Sequence, residues 1–123
     1  MRNEPTKEQL DNIPGFNETK NIPLMGKLIY LHFFIHDNDW YIAEYDGGDL
    51  FWGFVILNHD YRNAEWDYIS FQELQEMNIN GIEVDCEINR QPWPAGEIYK
   101  IKECRKLKII KDKRSDLTEK IIL

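Results

Sequence analysis

Lys27 to His36 (KLIYLHFFIH) is apolar at both parities, with Ile29, Leu31, Phe33 and Ile35 on one face and Leu28, Tyr30 and Phe34 on the other. An extended run with two apolar faces predicts a central strand covered on both sides of a sheet. Trp40 to Asp46 and Asp49 to Leu57 are two further β-rich runs, and the Asp46-Gly47-Gly48-Asp49 link between them predicts a hairpin with a tight turn. Gly53, inside the second run, predicts a bulge or the close approach of a bulky cross-strand neighbour such as Trp40. The cleanest alternation lies over 82–88, where Ile82, Val84, Cys86 and Ile88 point inward and Glu83, Asp85 and Glu87 outward. That pattern predicts a half-exposed strand.

Helical signals are local. Thr6 with Gln9 fits a capping box, Leu10 and Ile13 give the helix near 6–12 its apolar side, and Pro14-Gly15 stops it. Asn21-Ile22-Pro23 reads as an extended lead-in to the first strand. His59 to Ala64 is a polar loop, and Trp66, Tyr68 and Ser70 alternate with Glu65, Asp67 and Ile69 in a short strand. Ser70 and Glu73 form a second capping box, with Phe71, Leu74 and Met77 spaced to face a core before Asn80-Gly81 ends the helix. Pro92-Trp93-Pro94 breaks regularity, and Glu97 to Lys111 fits either a helix or a final strand. The sum is one α+β domain over 1–123, with a mainly antiparallel sheet of four to six strands and two or three short helices.

Composition narrows the function more than the fold. The 123 residues are 42% hydrophobic and 30% charged, with four Trp, six Tyr and six Phe, so the chain folds rather than forming a disordered polyelectrolyte. A net charge of −7 argues against a cationic surface that tracks phosphates, so direct nucleic-acid binding is not expected. The charge is uneven: residues 1–96 hold 6 basic and 17 acidic side chains, an acidic body, while residues 97–123 hold 9 and 5, a basic C-terminal element. That element offsets the body most simply by docking on it. No apolar run approaches the length of about 18 residues needed to span a membrane, and MRNEPTKEQLDN has no apolar signal-peptide core. Cys86 and Cys104 therefore read as reduced thiols of a cytoplasmic protein.

Candidate chemistry is sparse. Glu44, Asp46 and Asp49 fall on one face of the hairpin, in either register of a two-residue loop, and such a cluster of like charges calls for a basic side chain or a hard cation such as Mg²⁺ or Ca²⁺. The plainer reading gives Asp46 to the turn and the other two to solvent. His32 and His36 sit four apart, roughly 13 Å along a strand, and do not share a metal. His59, Cys86 and Cys104 add no ligand spacing, and phosphate-loop, nucleophile-elbow and H-E-x-x-H motifs are absent, so neither a catalytic residue nor a cofactor is expected. Glu83, Asp85 and Glu87 make an acidic row spaced about 6.5 Å, which suits either a soluble edge strand or a mimic of DNA phosphates. Four tryptophans exceed what a core of this size readily hides, and Trp93, held between two prolines in a poorly paired loop, is the one expected at the surface as a binding anchor, the alternative being that it folds back to plug one end of the core.

The run FFIHDNDWYIAEYDGGDLFWGFVI, followed by DYISFQELQEM, GIEVDCEI and QPWPAGEI, resembles the domain-of-unknown-function family 2958 (DUF2958), small proteins of bacteria, plasmids and phages. The likeness spans Thr6 to Ile98. Trp40, Glu44, Asp46, Gly47, Asp49 and Gly53 match the family's hairpin pattern, and Ser70, Glu73 and Leu74 its helix start. His59 to Asp67 is longer than the family's short link, and Val84-Asp85-Cys86 replaces its E-R-D. The resemblance implies no activity; its setting implies an accessory protein of a mobile element that binds a protein partner, of counter-defence type. The expectation is thus non-catalytic protein binding through Trp40, Glu44, Asp46, Asp49 and Trp93. The alternatives are a metal-dependent enzyme using the hairpin carboxylates and an acidic mimic of DNA.

Overall fold

A computed structural model describes the backbone of residues 1–122 and the side chains of residues 1–88 and 91–110. Its centre is an antiparallel meander of β1 (Leu28–Ile35), β2 (Asn38–Tyr45), β3 (Leu50–Ile56) and β4 (Glu65–Ser70), to which β7 (Asp85–Pro94) adds beside β1. The five-stranded order is β4-β3-β2-β1-β7, and a two-stranded ribbon, β5 (Asn78–Ile79) with β6 (Ile82–Glu83), stands apart from it. Three α-helices lie among the described residues: α1 (Lys7–Asp11), α2 (Phe71–Glu76) and α3 (Tyr99–Ile122). The chain is therefore the α+β, mainly antiparallel fold that its periodicity predicts.

The sheet separates two apolar clusters. On one face Leu31, Phe33, Trp40, Ile42, Phe51 and Ile69 meet Ile13 beyond α1 and Phe71 and Leu74 of α2. On the other, Ile29, Tyr41, Ala43, Phe54 and Ile56 meet Ala95 and, from α3, Ile101 and Cys104. The capping box at Thr6 is complete, its hydroxyl accepting from the Gln9 backbone while the Gln9 side chain accepts from the Thr6 N–H. The segment Glu97 to Lys111 resolves as the end of a 3-10 turn (Ala95–Glu97) and then, from Tyr99, as helix, with Ile101 and Cys104, three apart, sharing one helix face.

Several local expectations change. The strand covered on both faces is β2, all of whose residues from Asp39 to Glu44 are buried, whereas β1 keeps Leu28 exposed and Tyr30, His32 and Phe34 half-buried. At Gly53 the expected irregularity is present, the β2–β3 register shifting between Ile42 and Glu44, but the close approach is backbone rather than the Trp40 side chain: a Cβ there would lie 2.2 Å from the Tyr41 carbonyl oxygen. Asn80-Gly81 forms the tip of the β5–β6 ribbon, both residues at positive φ as that turn requires, while α2 has already ended at Glu76. Trp93 lies on β7, opposite Ile29 of β1, rather than in a loop. Pro92 and Pro94 are tolerated there because β7 is an edge strand.

Candidate functional site

Beyond the hairpin turn the three carboxylates go separate ways. Glu44 opposes Trp52 and Tyr45 opposes Phe51, since the register shifts between Ile42 and Glu44; neither sequence register is adopted. Asp46 serves the turn, its Oδ1 accepting the N–H groups of Gly48 (2.7 Å) and Leu50 (3.1 Å). Asp49 belongs to the start of α2: Oδ2 accepts the Ser70 hydroxyl at 2.6 Å and Oδ1 the Gln72 N–H at 2.7 Å. These two hydrogen bonds, the Ser70 one foremost, hold its carboxyl below the ordinary value. Glu44 is buried, 3.7 Å from the Lys27 ammonium, and its Oε1 accepts the Thr19 hydroxyl at 3.2 Å. Among the described residues, no three His, Cys, Asp or Glu side chains are grouped to hold a metal ion.

The tryptophans also divide. Trp40, expected to be a binding residue, is buried in the core because its face of β2 meets Phe33 and Val55 across the sheet. Trp93 is 56% exposed, as expected of a surface anchor. The acidic row does not form one continuous edge. Glu83 lies on β6 and is 3.6 Å from the Met1 amine, Asp85 opens β7 and accepts from the Asn3 amide, and Glu87, on the same face of β7 as Asp85, stands exposed beside His32.

One constellation is absent from the sequence reading. Asp39, 3% exposed in its side chain, accepts from His32 Nε2 at 2.7 Å and from the Lys100 ammonium at 3.0 Å. Burial opposes its ionisation, but the hydrogen bonds and charges of His32 and Lys100 outweigh that and leave the Asp39 pKa lowered. An ionised carboxylate only accepts, so Nε2 carries the proton. The imidazole stacks on Tyr41 at 4.3 Å, and Nδ1 faces Glu87 at 3.5 Å. Asp39 takes Nε2 of His32, while Nδ1 has only the exposed Glu87 carboxylate beside it. The group clamps β1, β2 and α3 together. Its sequence signal was His36-Asp37-Asn38, the short turn that sets Asp39 opposite Phe34 and hence diagonal to His32.

A second missed feature is a recess of about 180 Å³ lined by Phe16, Asn17, Glu44, Trp52 and Tyr68. Trp52 and Tyr68 are cross-strand partners with ring centroids 4.9 Å apart, and Phe16 lies 5.7 Å from Tyr68. Comparison of the chain with protein-family models, with curated proteins and with solved structures found no match. No helix among the described residues is long and apolar enough to cross a membrane.

Proposed function

We propose that this protein is a non-catalytic binding module that engages a protein partner, acting as a cytoplasmic accessory factor of the counter-defence kind found on mobile elements and akin to DUF2958. The observation that carries the reading is Trp93, 56% exposed on the edge strand β7 and fixed there between two prolines. A large amphipathic ring held on a rigid edge loses little freedom when it docks, which is what an interface anchor needs. The hairpin carboxylates are not gathered into one cluster: Asp46, Asp49 and Glu44 each meet different protein groups.

The test compares wild type with Trp93→Ala in affinity capture from the bacterial host, together with thermal unfolding of both. The expected outcome is a partner retained by wild type and lost at least about tenfold in the variant, whose stability stays within about 1 kcal/mol. Capture independent of Trp93, or loss of cooperative unfolding in Trp93→Ala, would remove the anchor and the reading with it.

A further inference from the structure

The recess beside the hairpin has the chemistry of a cation receptor. Its walls are aromatic: Trp52 from β3, Tyr68 from β4, and Phe16 from the segment that follows α1. Ring faces attract an organic cation placed within about 6 Å of their centroids, most strongly tryptophan and tyrosine. The wall is open to a visitor, since Tyr68 is 60% exposed and Trp52 half-buried.

Glu44 supplies the second, independent observation. The residue is 6% exposed and lines the recess, yet both of its close polar contacts fall on a single oxygen, Oε1, which meets the Thr19 hydroxyl and the Lys27 ammonium. Oε2 makes no hydrogen bond among the described residues and is not shut away from solvent, since the one buried unpaired side-chain polar atom there is Trp66 Nε1, so this oxygen stays open to a visitor. Lys27 neutralises Glu44 only at a distance, at 3.7 Å, because its shorter bonds go to the Thr19 carbonyl (2.8 Å) and hydroxyl (2.6 Å). The surrounding body carries 17 acidic against 6 basic side chains over residues 1–96, a field that concentrates cations at its surface.

We propose that Phe16, Trp52, Tyr68 and Glu44 form a binding site for an alkylammonium head group, either a free quaternary amine or the methylated lysine of a polypeptide. The aromatic faces take the methyl groups, and Glu44, already ion-paired with Lys27, adds a carboxylate oxygen beside them. Asn17, also on the rim, offers an amide for a neighbouring polar group. The site is separate from Trp93, which lies on β7 at the far side of the strand order, so the two readings stand or fall apart.

The experiment follows the Trp52 indole N–H and Tyr68 ring resonances during titration of the full chain with choline, with its neutral isostere 3,3-dimethylbutan-1-ol, and with a short peptide carrying one trimethyl-lysine. Choline is expected to shift both residues saturably, the isostere to leave them unmoved at equal concentration, and Tyr68→Ala, at an exposed position, to weaken binding roughly tenfold. Tighter binding of the peptide than of choline assigns the site to a modified polypeptide; equal or weaker binding assigns it to a free amine. Glu44→Gln is expected to weaken choline binding as well, and Tyr68→Ala keeps the test decisive if that buried change impairs folding. No saturable response to choline, an equal response to the isostere, or unaltered affinity in Tyr68→Ala overturns the proposal.

Discussion

A methyl group on Gly53 would stand 2.2 Å from the Tyr41 carbonyl oxygen and 3.2 Å from the Ile42 Cα, and neither atom belongs to a flexible side chain able to move away. Gly53→Ala should therefore cost about 2–3 kcal/mol, read from chemical unfolding. An effect below about 0.5 kcal/mol would mean that β2 and β3 do not approach as described. The paired glycines of the hairpin turn are unequal. Gly47 has φ +85°, a conformation that L side chains rarely adopt, whereas a Cβ on Gly48 would make only ordinary contact with Asp46 Oδ1 at 3.4 Å. Gly47→Ala should cost about 1 kcal/mol and Gly48→Ala distinctly less. Trp66 poses the reverse case, since its Nε1–H is buried with no acceptor among the described residues. Trp66→Phe discards that unpaired donor while keeping a ring against Phe54, so unfolding free energy should change by no more than about 1 kcal/mol despite the lost volume.

Two polar relays join the elements. Ser70 Oγ donates to Asp49 and accepts from the Glu73 N–H, so the β2–β3 turn and the first turn of α2 share one hydroxyl. Asp39 does the same for the other face, holding His32 of β1 and Lys100 of α3 to β2. Its pKa is lowered in the folded state, so its contribution is present in full above the ordinary aspartate value and is lost as pH falls through the folded value. The stability gap between wild type and Asp39→Asn should therefore be widest near neutrality and close in acid. Urea midpoints taken from about pH 6 down to about pH 2 read it directly, and a gap constant across that range would sink the assignment. Taking the difference between the two proteins cancels Asp49, whose pKa is lowered as well and which titrates in both.

The same contrast explains what the sequence discloses. Thr6 and Ser70 announce their helices because a cap is settled within four residues, and Gly47 announces its turn because a positive φ is a local demand. Glu44, Asp46 and Asp49 share a face on paper and separate in the fold, because the register shift after Ile42 sets Glu44 against Trp52, a displacement that alternation does not encode. The Asp39 relay and the aromatic recess need β-register, the path of residues 14–26 and the docking of α3 all at once. Those are properties of packing between distant segments, so residue types alone leave them unread.

At the scale of the whole molecule, the sheet is a partition with one thiol on each side. Cys86 belongs to the cluster beneath α1 and α2, Cys104 to the cluster beneath α3, and both are free and buried. Burial pushes the Cys86 thiol up to about 12 and the Cys104 thiol up to about 11, the neighbouring carboxylates adding to both. Raised in this way, both thiols stay protonated near neutral pH, and the thiolate that reacts is scarce at either site. Alkylation then has to wait for the structure to open, and the two thiols report different openings. Cys104 becomes accessible once α3 leaves the sheet, which breaks the Lys100–Asp39 bond and uncovers Ile101; Cys86 stays covered until its own strand parts from the other cluster. In native buffer without reductant both should label slowly, Cys104 ahead of Cys86, with mass spectrometry resolving the two sites. Lys100→Met removes one tether of α3 and should speed labelling at Cys104 while leaving Cys86 at its wild-type rate. Rapid labelling of both thiols in the native protein, or equal acceleration of both by Lys100→Met, would show that α3 and the sheet open as a single unit.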